Sequence, residues 1–373
     1  MRNWADVVSA SDDELLAWAE RQPWAEAMRA CGQDAEWHAE GDVWTHTRMV
    51  WEEVGRLGGF SDMRPEHRRA LRFAALWHDA GKPATTYFDE ESGRTRSPKH
   101  SIVSARMARE ILRNWGCDLE VREAIVNLVR YHGRPPYLLD KSKPEEEVIR
   151  LSWLVRNDLL YQFALADTRG RTTRETARKE DALELWRDLA EEHGCLEVAY
   201  PFVNDHARFL FFRGELGSLH RVPHEEYRCT VTMMSGLPGA GKDTWLARHR
   251  PDLPSISLDD VREELDVDPT EEQGRVIQRA KERCRQRLRV GEDFAFNATN
   301  LTAPMRKLWT DLFARYEARV EIVYLEPPFE ALLKQNRERE RRVPERVIHR
   351  LLDRAEPPSP GEAHEVRWMG GED

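Results

Sequence analysis

Two groups of residues in this chain have the types and spacing to do phosphate chemistry. The first is Gly236-Leu-Pro-Gly239-Ala240-Gly241-Lys242-Asp243-Thr244, a G-x-x-x-x-G-K sequence between an apolar run, Cys229 to Met234, and a helical pattern. A strand, a glycine-rich turn and a helix N-terminus in that order turn backbone N–H groups toward a β-phosphate, and Lys242 can reach the β- and γ-phosphates. Where such loops usually carry Ser or Thr after the lysine, this chain has Asp243, so magnesium falls to Thr244, to water or to another carboxylate. Beyond the second strand pattern comes Ser257-Leu258-Asp259-Asp260-Val261-Arg262. Its plainer role is a helix cap; its functional role is a carboxylate that accepts a proton from an attacking hydroxyl, beside an arginine that grips an acceptor's phosphate. Asn297-Ala298-Thr299-Asn300-Leu301 ends a third strand pattern, and the arginine-rich stretch Asn336 to Arg342 precedes Val343-Pro344. A charged stretch placed there suits a lid that brings arginines over a transferring phosphoryl group.

The second group is the series His46, His78-Asp79, His100, His132 and Asp167, each on or at the end of a helical pattern. A single histidine is more often a cap or a core residue. Imidazoles and carboxylates drawn as a set from separate helices suit a hydrolytic divalent transition metal. His38 rivals His46 as the first member, although only His46 is followed by a helical apolar pattern.

The elements that must position these residues differ between the two halves. From Asp12 to about His193 apolar residues recur at helical spacing, as in Leu71, Ala74, Ala75 and His78, with punctuation at Gly58-Gly59, Gly81-Lys82-Pro83 and Gly133 to Pro136. This half reads as an all-helical bundle with functional loops. The pattern weakens between Cys195 and Arg228, where the aromatic run Phe209 to Phe212 reads as packing between domains. After Tyr227 short apolar strands alternate with helices: strands at Cys229 to Met234, Ser255 to Leu258, Phe294 to Asn297 and Val320 to Leu325, and a long helix from Arg275 to Arg289. That alternation predicts a parallel α/β sheet. Pro357 to Gly361 breaks the last helix before what reads as a short tail, and the domains are expected at 1–224 and 225–373.

Composition narrows the class. The 373 residues are 40% hydrophobic and 33% charged, which disfavours disorder, collagen and membrane classes. No apolar run of about 18 residues occurs, the N-terminus is acidic where a signal peptide would be basic and apolar, and five scattered cysteines form no C-x-x-C pair; cytoplasm is the expected location. A net charge of -10 argues on its face against nucleic acid, but from Arg228 onward the balance is only -2, and Arg275 to Arg289 holds seven basic residues and one acid. A protein that handles strand ends needs few phosphate contacts, so the total charge does not exclude that partner.

Residues 229 to about 366 resemble the 5′-hydroxyl polynucleotide kinase family, whose phage members share the G-x-P-G-x-G-K loop followed by Thr-Trp (Thr244-Trp245), then D-D-x-R, T-N-L and a lid ending in V-P. The resemblance implies that Lys242 holds phosphates, Asp259 is the general base, Arg262 binds the acceptor's 3′-phosphate and Arg339 is the lid arginine, with Arg337, Arg341 and Arg342 as competitors; Ala298 stands where the phage pattern has aspartate. Residues 36 to 190 resemble the HD phosphohydrolase superfamily, through Trp44-Thr45-His46-Thr47 and Leu76 to Pro83. That implies His46, His78, Asp79 and Asp167 around one metal, His100 and His132 completing a second site or binding phosphate, and Lys82 and Arg171 as phosphate clamps, with a solvated face as the rival reading of the last two. The fusion resembles the bacterial HD-Pnk family of RNA-repair end-healing enzymes. It implies a multidomain fold, an all-α HD-type helix bundle followed by an α/β P-loop kinase with a parallel sheet and helical lid. It also implies ATP or another NTP with Mg2+ in the kinase half, and one or two divalent transition ions (Mn2+, Ni2+, Co2+ or similar) in the HD half. The implied partners are RNA or DNA strand ends, with a ligase acting afterwards and no membrane. A nucleotidase joined to a nucleoside or metabolite kinase, and an NTP-binding regulatory switch, stay open beside it.

Overall fold

The periodic segments of the N-terminal half fold as helices whose apolar stripes face one another. Asp42 caps the helix Val43–Arg56 by accepting from the Thr45 amide at 2.9 Å, and that helix buries Val43, Trp44, His46, Thr47, Val50, Trp51 and Val54 along one face. Pro65–Trp77 starts with a proline at its first position and is buried continuously from Ala70 to Trp77, as a helix through the middle of a bundle must be. His100–Asn114, Leu119–Tyr131, Asn157–Arg169 and Thr176–Glu192 complete the bundle core. Phe73 and Trp77 stack at 4.9 Å, with Trp115 at 5.9 Å from both rings. Gly81 is required by a close approach: a Cβ there would lie 2.4 Å from His100 O and 2.7 Å from Ser104 N, so only glycine lets the turn after His78 rest on the start of the next helix. One antiparallel hairpin, β1 (Tyr87–Asp89) and β2 (Arg94–Arg96), interrupts the helices, a feature that the helical periodicity did not reveal.

The computed structural model describes residues 3–34, 36, 38–173, 176–268, 273–339 and 341–370; Glu340, within the lid stretch, lies outside them. The chain divides into two compact units, Met1–Pro201 and Phe202–Asp373. The second unit is built on a five-stranded sheet of β3 (Cys229–Gly236), β4 (Ser255–Ser257), β5 (Phe294–Asn297), β6 (Ala318–Leu325) and β7 (Glu365–Met369), ordered β4-β5-β3-β6-β7 with every pair parallel. β3 and β5 are almost wholly buried, as the centre of a parallel sheet covered on both faces requires. Gly274–Val290 turns Val276, Ala280, Cys284 and Leu288 to the core and leaves its arginines outside, which accounts for the basic run.

Two readings from the sequence change here. The residues after Gly361 are not a tail: β7 pairs with β6 from Glu321 to Leu325 and forms a sheet edge. Phe209 and Phe212 pack against residues of the second unit. They belong to the helix Asp205–Arg213, in which Phe209 lies 4.2 Å from the His364 ring and Arg208 donates to His364 O, while Phe212 fills the space beside Gly361. Those contacts carry the segment 202–224 with the second unit, and the division falls after Pro201 rather than near residue 225. Among the described residues no helix is long and apolar enough to cross a membrane, and all five cysteines are free and buried.

Candidate metal centre and phosphate-binding loop

The histidine series comes together at the helix ends. His46 lies in the first turn of Val43–Arg56, His78 follows Pro65–Trp77, His100 opens His100–Asn114, His132 follows Leu119–Tyr131, and Asp167 sits in the last turn of Asn157–Arg169. Three of the imidazoles donate Nδ1–H to a nearby carbonyl: His78 to Ala75 O at 3.0 Å, His100 to Ser97 O at 2.8 Å and His132 to Val129 O at 2.8 Å. His46 Nδ1 lies 3.1 Å from both Gly170 O and Glu40 Oε1. For His78, His100 and His132 the carbonyl partners assign the proton to Nδ1 and leave the Nε2 lone pair facing Asp79, which is how outer partners orient metal-ligating imidazoles. His46 Nε2 instead lies 3.1 Å from Asp167 Oδ1 and donates to it.

Among the described residues the possible ligand atoms form three groups, His38, Glu40 and His46 in one, His46, His78 and Asp167 in the next and Asp79, His100 and His132 in the third, the atoms of each within 4.8 Å of one another. Asp79 faces the last two. Its Oδ2 is 3.3 Å from His78 Nε2 and 3.7 Å from His46 Nε2, and its Oδ1 is 3.2 Å from His100 Nε2 and 3.9 Å from His132 Nε2. His46 Nε2 and His78 Nε2 are 3.2 Å apart, and the buried His100 Nε2 completes no hydrogen bond, while Asp79 Oδ2 is met by the Lys82 ammonium at 2.8 Å. Converging imidazole lone pairs beside two buried carboxylates are a donor set that suits a divalent cation. The electrostatics agree. Burial opposes ionising Asp79 and Asp167, but Lys82 beside the first and Arg171 beside the second hold both carboxyls well below the usual range. Burial drives His132 down to about 3 and lowers His100, keeping both imidazoles neutral as ligands must be. His46 departs from this pattern: burial opposes charging it, but its hydrogen bonds to Asp167 and Glu40 prevail and raise its pKa, so a cation binding there would displace its Nε2 proton.

Lys82 and Arg171 do not lie on a solvated face. Lys82 Nζ is 2.8 Å from Asp79 Oδ2 and donates to Gln33 Oε1 at 2.5 Å; Arg171 grips Asp167 at 2.5 and 3.2 Å. His38 belongs to the first of the three groups with Glu40 and His46, its Nδ1 2.8 Å from Glu40 Oε1 and its Nε2 3.5 Å from Lys82 Nζ. Sequence reasoning missed Glu40. Its buried carboxylate joins His38 to His46 and accepts from the Thr172 amide at 3.0 Å, but in a stretch crowded with acids nothing marked it out.

In the second unit, the end of β3 enters the glycine loop under a tight constraint. Gly236 has φ +143°, and a Cβ there would meet Leu325 O at 2.6 Å. The helix Lys242–His249 starts at the loop's end, and Lys242 Nζ folds back onto Gly236 O (3.0 Å) and Leu237 O (2.9 Å). Burial lowers its pKa to about 8, against the charge of Asp243; the charges of Arg339 and Asp259 also act on it. Gly239, Ala240 and Gly241 form the turn between them, and Thr244 is exposed in the first helical turn. Asp243 accepts from Asn297 Nδ2, at the end of β5, at 2.5 Å and lies 3.8 Å from Arg339 Nη2. Asp259 and Arg262 pair with each other on the helix that Ser257 caps, and Arg262 Nε donates to Gln273 Oε1 at 2.7 Å.

The competing arginines are sorted by their partners. Arg337 pairs with Glu345 at 2.8 Å and Arg341 with Glu263 at 2.6 Å, Arg342 is exposed, and Arg339 turns toward the loop at Asp243. Asn336 and Val343 close the lid's end by exchanging hydrogen bonds at 2.8 and 3.1 Å. Ala298 packs against the core, so no carboxylate stands there. A brace behind the loop was not foreseen. Asn300, at φ +44°, donates to Met234 O, and its carbonyl accepts from Ser235 Oγ and from the buried Arg306, which also holds Glu362 and Glu356 O.

Known proteins match the two halves separately. Residues 43–154 match the HD domain family and residues 231–358 a family described as an AAA domain. Asp167 and Arg171 lie beyond the first match, and β7 and the helix Asp205–Arg213 beyond the second. A curated relative, the CC-adding tRNA nucleotidyltransferase of Thermus thermophilus, is 41% identical over 96 residues, 26% of this chain and 21% of that protein; the chain thus spans about a fifth of that relative's length. A crystal structure of a sugar kinase from Janibacter sp. HTCC2649 has 19% identity over 38% of this chain and 85% of its own, with a TM-score of 0.31, a likeness too distant to carry an argument. An HD domain thus precedes an AAA domain that carries the glycine loop, which is the domain arrangement of the HD-Pnk family.

Proposed function

We propose that the protein heals broken nucleic-acid strands, phosphorylating 5′-OH ends from an NTP and removing 2′,3′-cyclic, 2′- or 3′-phosphate from the other side, so that a ligase can follow. One observation supports the reading: a single chain holds a glycine loop closed by Lys242 together with a paired Asp259 and Arg262 in one unit, and four imidazoles gathered with two carboxylates in the other. The products of the two reactions, a 5′-phosphate and a 3′-OH, are the two ends that ligation needs. The name of the curated relative, which acts on tRNA, favours RNA over DNA as the strand. Five unpaired cysteines support a reducing compartment, the cytoplasm.

In the kinase half, residues 202–373, Gly236, Gly239, Ala240, Gly241 and Lys242 cradle the phosphates of ATP or another NTP, and Asp243 and Thr244 flank the place of its Mg2+. Asp259 takes the proton of the 5′-OH, Arg262 grips the acceptor's 3′-phosphate, and Arg339 comes over the transferring group. In the hydrolase half, His46, His78, Asp79, His100, His132 and Asp167 hold one or two divalent transition ions (Mn2+, Ni2+, Co2+ or similar). Bound there, such a metal supplies Lewis acidity and lowers the pKa of its water. Lys82 and Arg171 fix the two carboxylates and offer their remaining N–H groups to the phosphate.

The test is an oligonucleotide with 5′-OH and 3′-phosphate ends, labelled at both, incubated with NTP and a metal panel. Gain of 5′-phosphate and loss of 3′-phosphate on one strand are the expected result. A mononucleoside preferred over a pentanucleotide as acceptor would sink the strand-end reading in favour of a metabolite kinase. Transfer to no acceptor at all would leave a regulatory NTP switch.

A further inference from the structure

The hairpin of β1 and β2 interrupts the helical unit between two residues that touch the ligand set. On its N-terminal side Lys82 lies 2.8 Å from Asp79 Oδ2, and on its C-terminal side His100 Nε2 lies 3.2 Å from Asp79 Oδ1. Its roots are tied. Thr86 Oγ1 donates to Lys82 O at 2.8 Å and lies 2.7 Å from Ser97 Oγ, and Ser97 O accepts from His100 Nδ1. The Thr95 amide donates to Asp34 Oδ2, and at the tip Asp89 accepts from Ser92 Oγ at 2.7 Å.

A segment built this firmly displays its apolar side chains to water. Tyr87 is 51% exposed and Phe88 63%. As successive strand residues they point to opposite faces. The register sets Tyr87 opposite Arg96, so a ring and a guanidinium share one face, and Arg96 is held by Asp89 at 2.8 Å while its side chain stays half exposed. Neither ring adds to the core, so burial does not account for them. An exposed ring beside a guanidinium, on an ordered arm rooted at the candidate metal centre, has the chemistry of a platform for an unpaired base: stacking tolerates any base, and the arginine meets the adjoining phosphate.

We propose that this hairpin is the strand-holding arm of the hydrolase half, with Tyr87 stacking on the last unpaired base of a nucleic-acid 3′ end and Arg96, on the same face, contacting the adjoining phosphate. The proposal rests on the strand-end reading above and adds to it the place where the last base is held. It gives the hydrolase half a grip on the polymer independent of the metal ligands.

The test uses the full metal-loaded chain and two substrates, a single-stranded pentanucleotide with a 3′-phosphate and p-nitrophenyl phosphate, which has no base to stack. Tyr87→Ala is expected to raise KM for the pentanucleotide about tenfold, a conservative figure for loss of base stacking, with the kinetics on the aryl ester unchanged. Phe88→Ala, on the opposite face, is expected to keep the wild-type KM, and Arg96→Ala to give a smaller rise that shrinks as salt increases. A pentanucleotide KM unmoved by Tyr87→Ala, or both substrates affected alike, would overturn the arm while leaving the strand-end reading intact. A wild-type enzyme that favours the aryl ester over the pentanucleotide would overturn that reading and the arm with it. Altered self-association by light scattering, with KM unmoved, would assign the rings to contact between copies and also overturn the arm.

Discussion

Lys242 lends the kinase half a pH dependence whose sign can be worked out. In the nucleotide-free protein burial brings its pKa down to about 8, while its ammonium folds onto Gly236 O and Leu237 O. An ordinary lysine titrates near 10.4. At pH 7 about nine molecules in ten carry the charge, and at pH 9 only about one in ten. Nucleotide phosphates favour the ammonium, so binding at pH 9 must take up nearly one proton, and Kd for the NTP is expected to rise about tenfold from pH 7 to pH 9, equivalent to about 1.4 kcal/mol. Stability of the nucleotide-free unit moves the other way. Between about pH 8 and about pH 10.4 the unfolded chain holds a proton that the folded chain has lost, so this group makes the folded state more stable as pH rises through that window. The assay is calorimetric titration of a non-hydrolysable NTP with Mg2+ at pH 7, 8 and 9, in two buffers of different ionisation enthalpy. Lys242→Arg, which stays charged throughout, should flatten the profile. A wild-type Kd constant from pH 7 to 9 with no proton uptake would refute the reasoning.

Other outcomes follow from the geometry. Lys242→Ala should abolish 5′ phosphorylation and spare phosphate release, and Asp79→Ala should do the reverse; loss of both activities from either change would contradict two separate centres. Glu40→Ala removes the carboxylate that joins His38 to His46, and metal affinity measured by competition with a chromogenic chelator should weaken by about 10- to 100-fold; an unchanged affinity would remove Glu40 from the site. Arg306→Leu leaves Glu362 without its partner behind the loop, and urea unfolding of the second unit should show a loss of about 3–5 kcal/mol, against little change if the brace is dispensable. Gly236→Ala places a methyl group against Leu325 O and should cost NTP binding while the hydrolase half keeps its activity.

What could be read from the sequence was whatever has a local period or a local motif. The glycine loop lies between a strand and a helix within one short stretch, and the ligand histidines sit at the ends of strongly periodic helices, where only the helices' packing had to be supplied. Glu40 was hidden because its role depends on His38, His46 and Thr172, the last of them 132 residues away, and not on its neighbours. Arg306 looked like the polar face of an amphipathic helix; only the fold buries it against Glu362 and the Asn300 carbonyl. β1 and β2 have three residues each, too short for alternation to register, and β7 follows prolines that normally announce an end. The helix Asp205–Arg213 was visible as an aromatic run, but its partners, His364 and Gly361, lie far along the chain, and so the division between the units was set too late.

That pairing bears on how the second unit is made. The helix Asp205–Arg213 and the residue that leads into β7 meet across 156 residues, through Arg208 and the His364 carbonyl. Closing so long a loop slows folding, because the chain entropy is lost before the contact returns anything. During synthesis the helix leaves the ribosome with Phe209, Phe211 and Phe212 in hand and must wait for the final residues before two of those rings find their neighbours. Until then it is an apolar, aggregation-prone segment, and a chaperone that binds nascent chains would find its best target in this unit there.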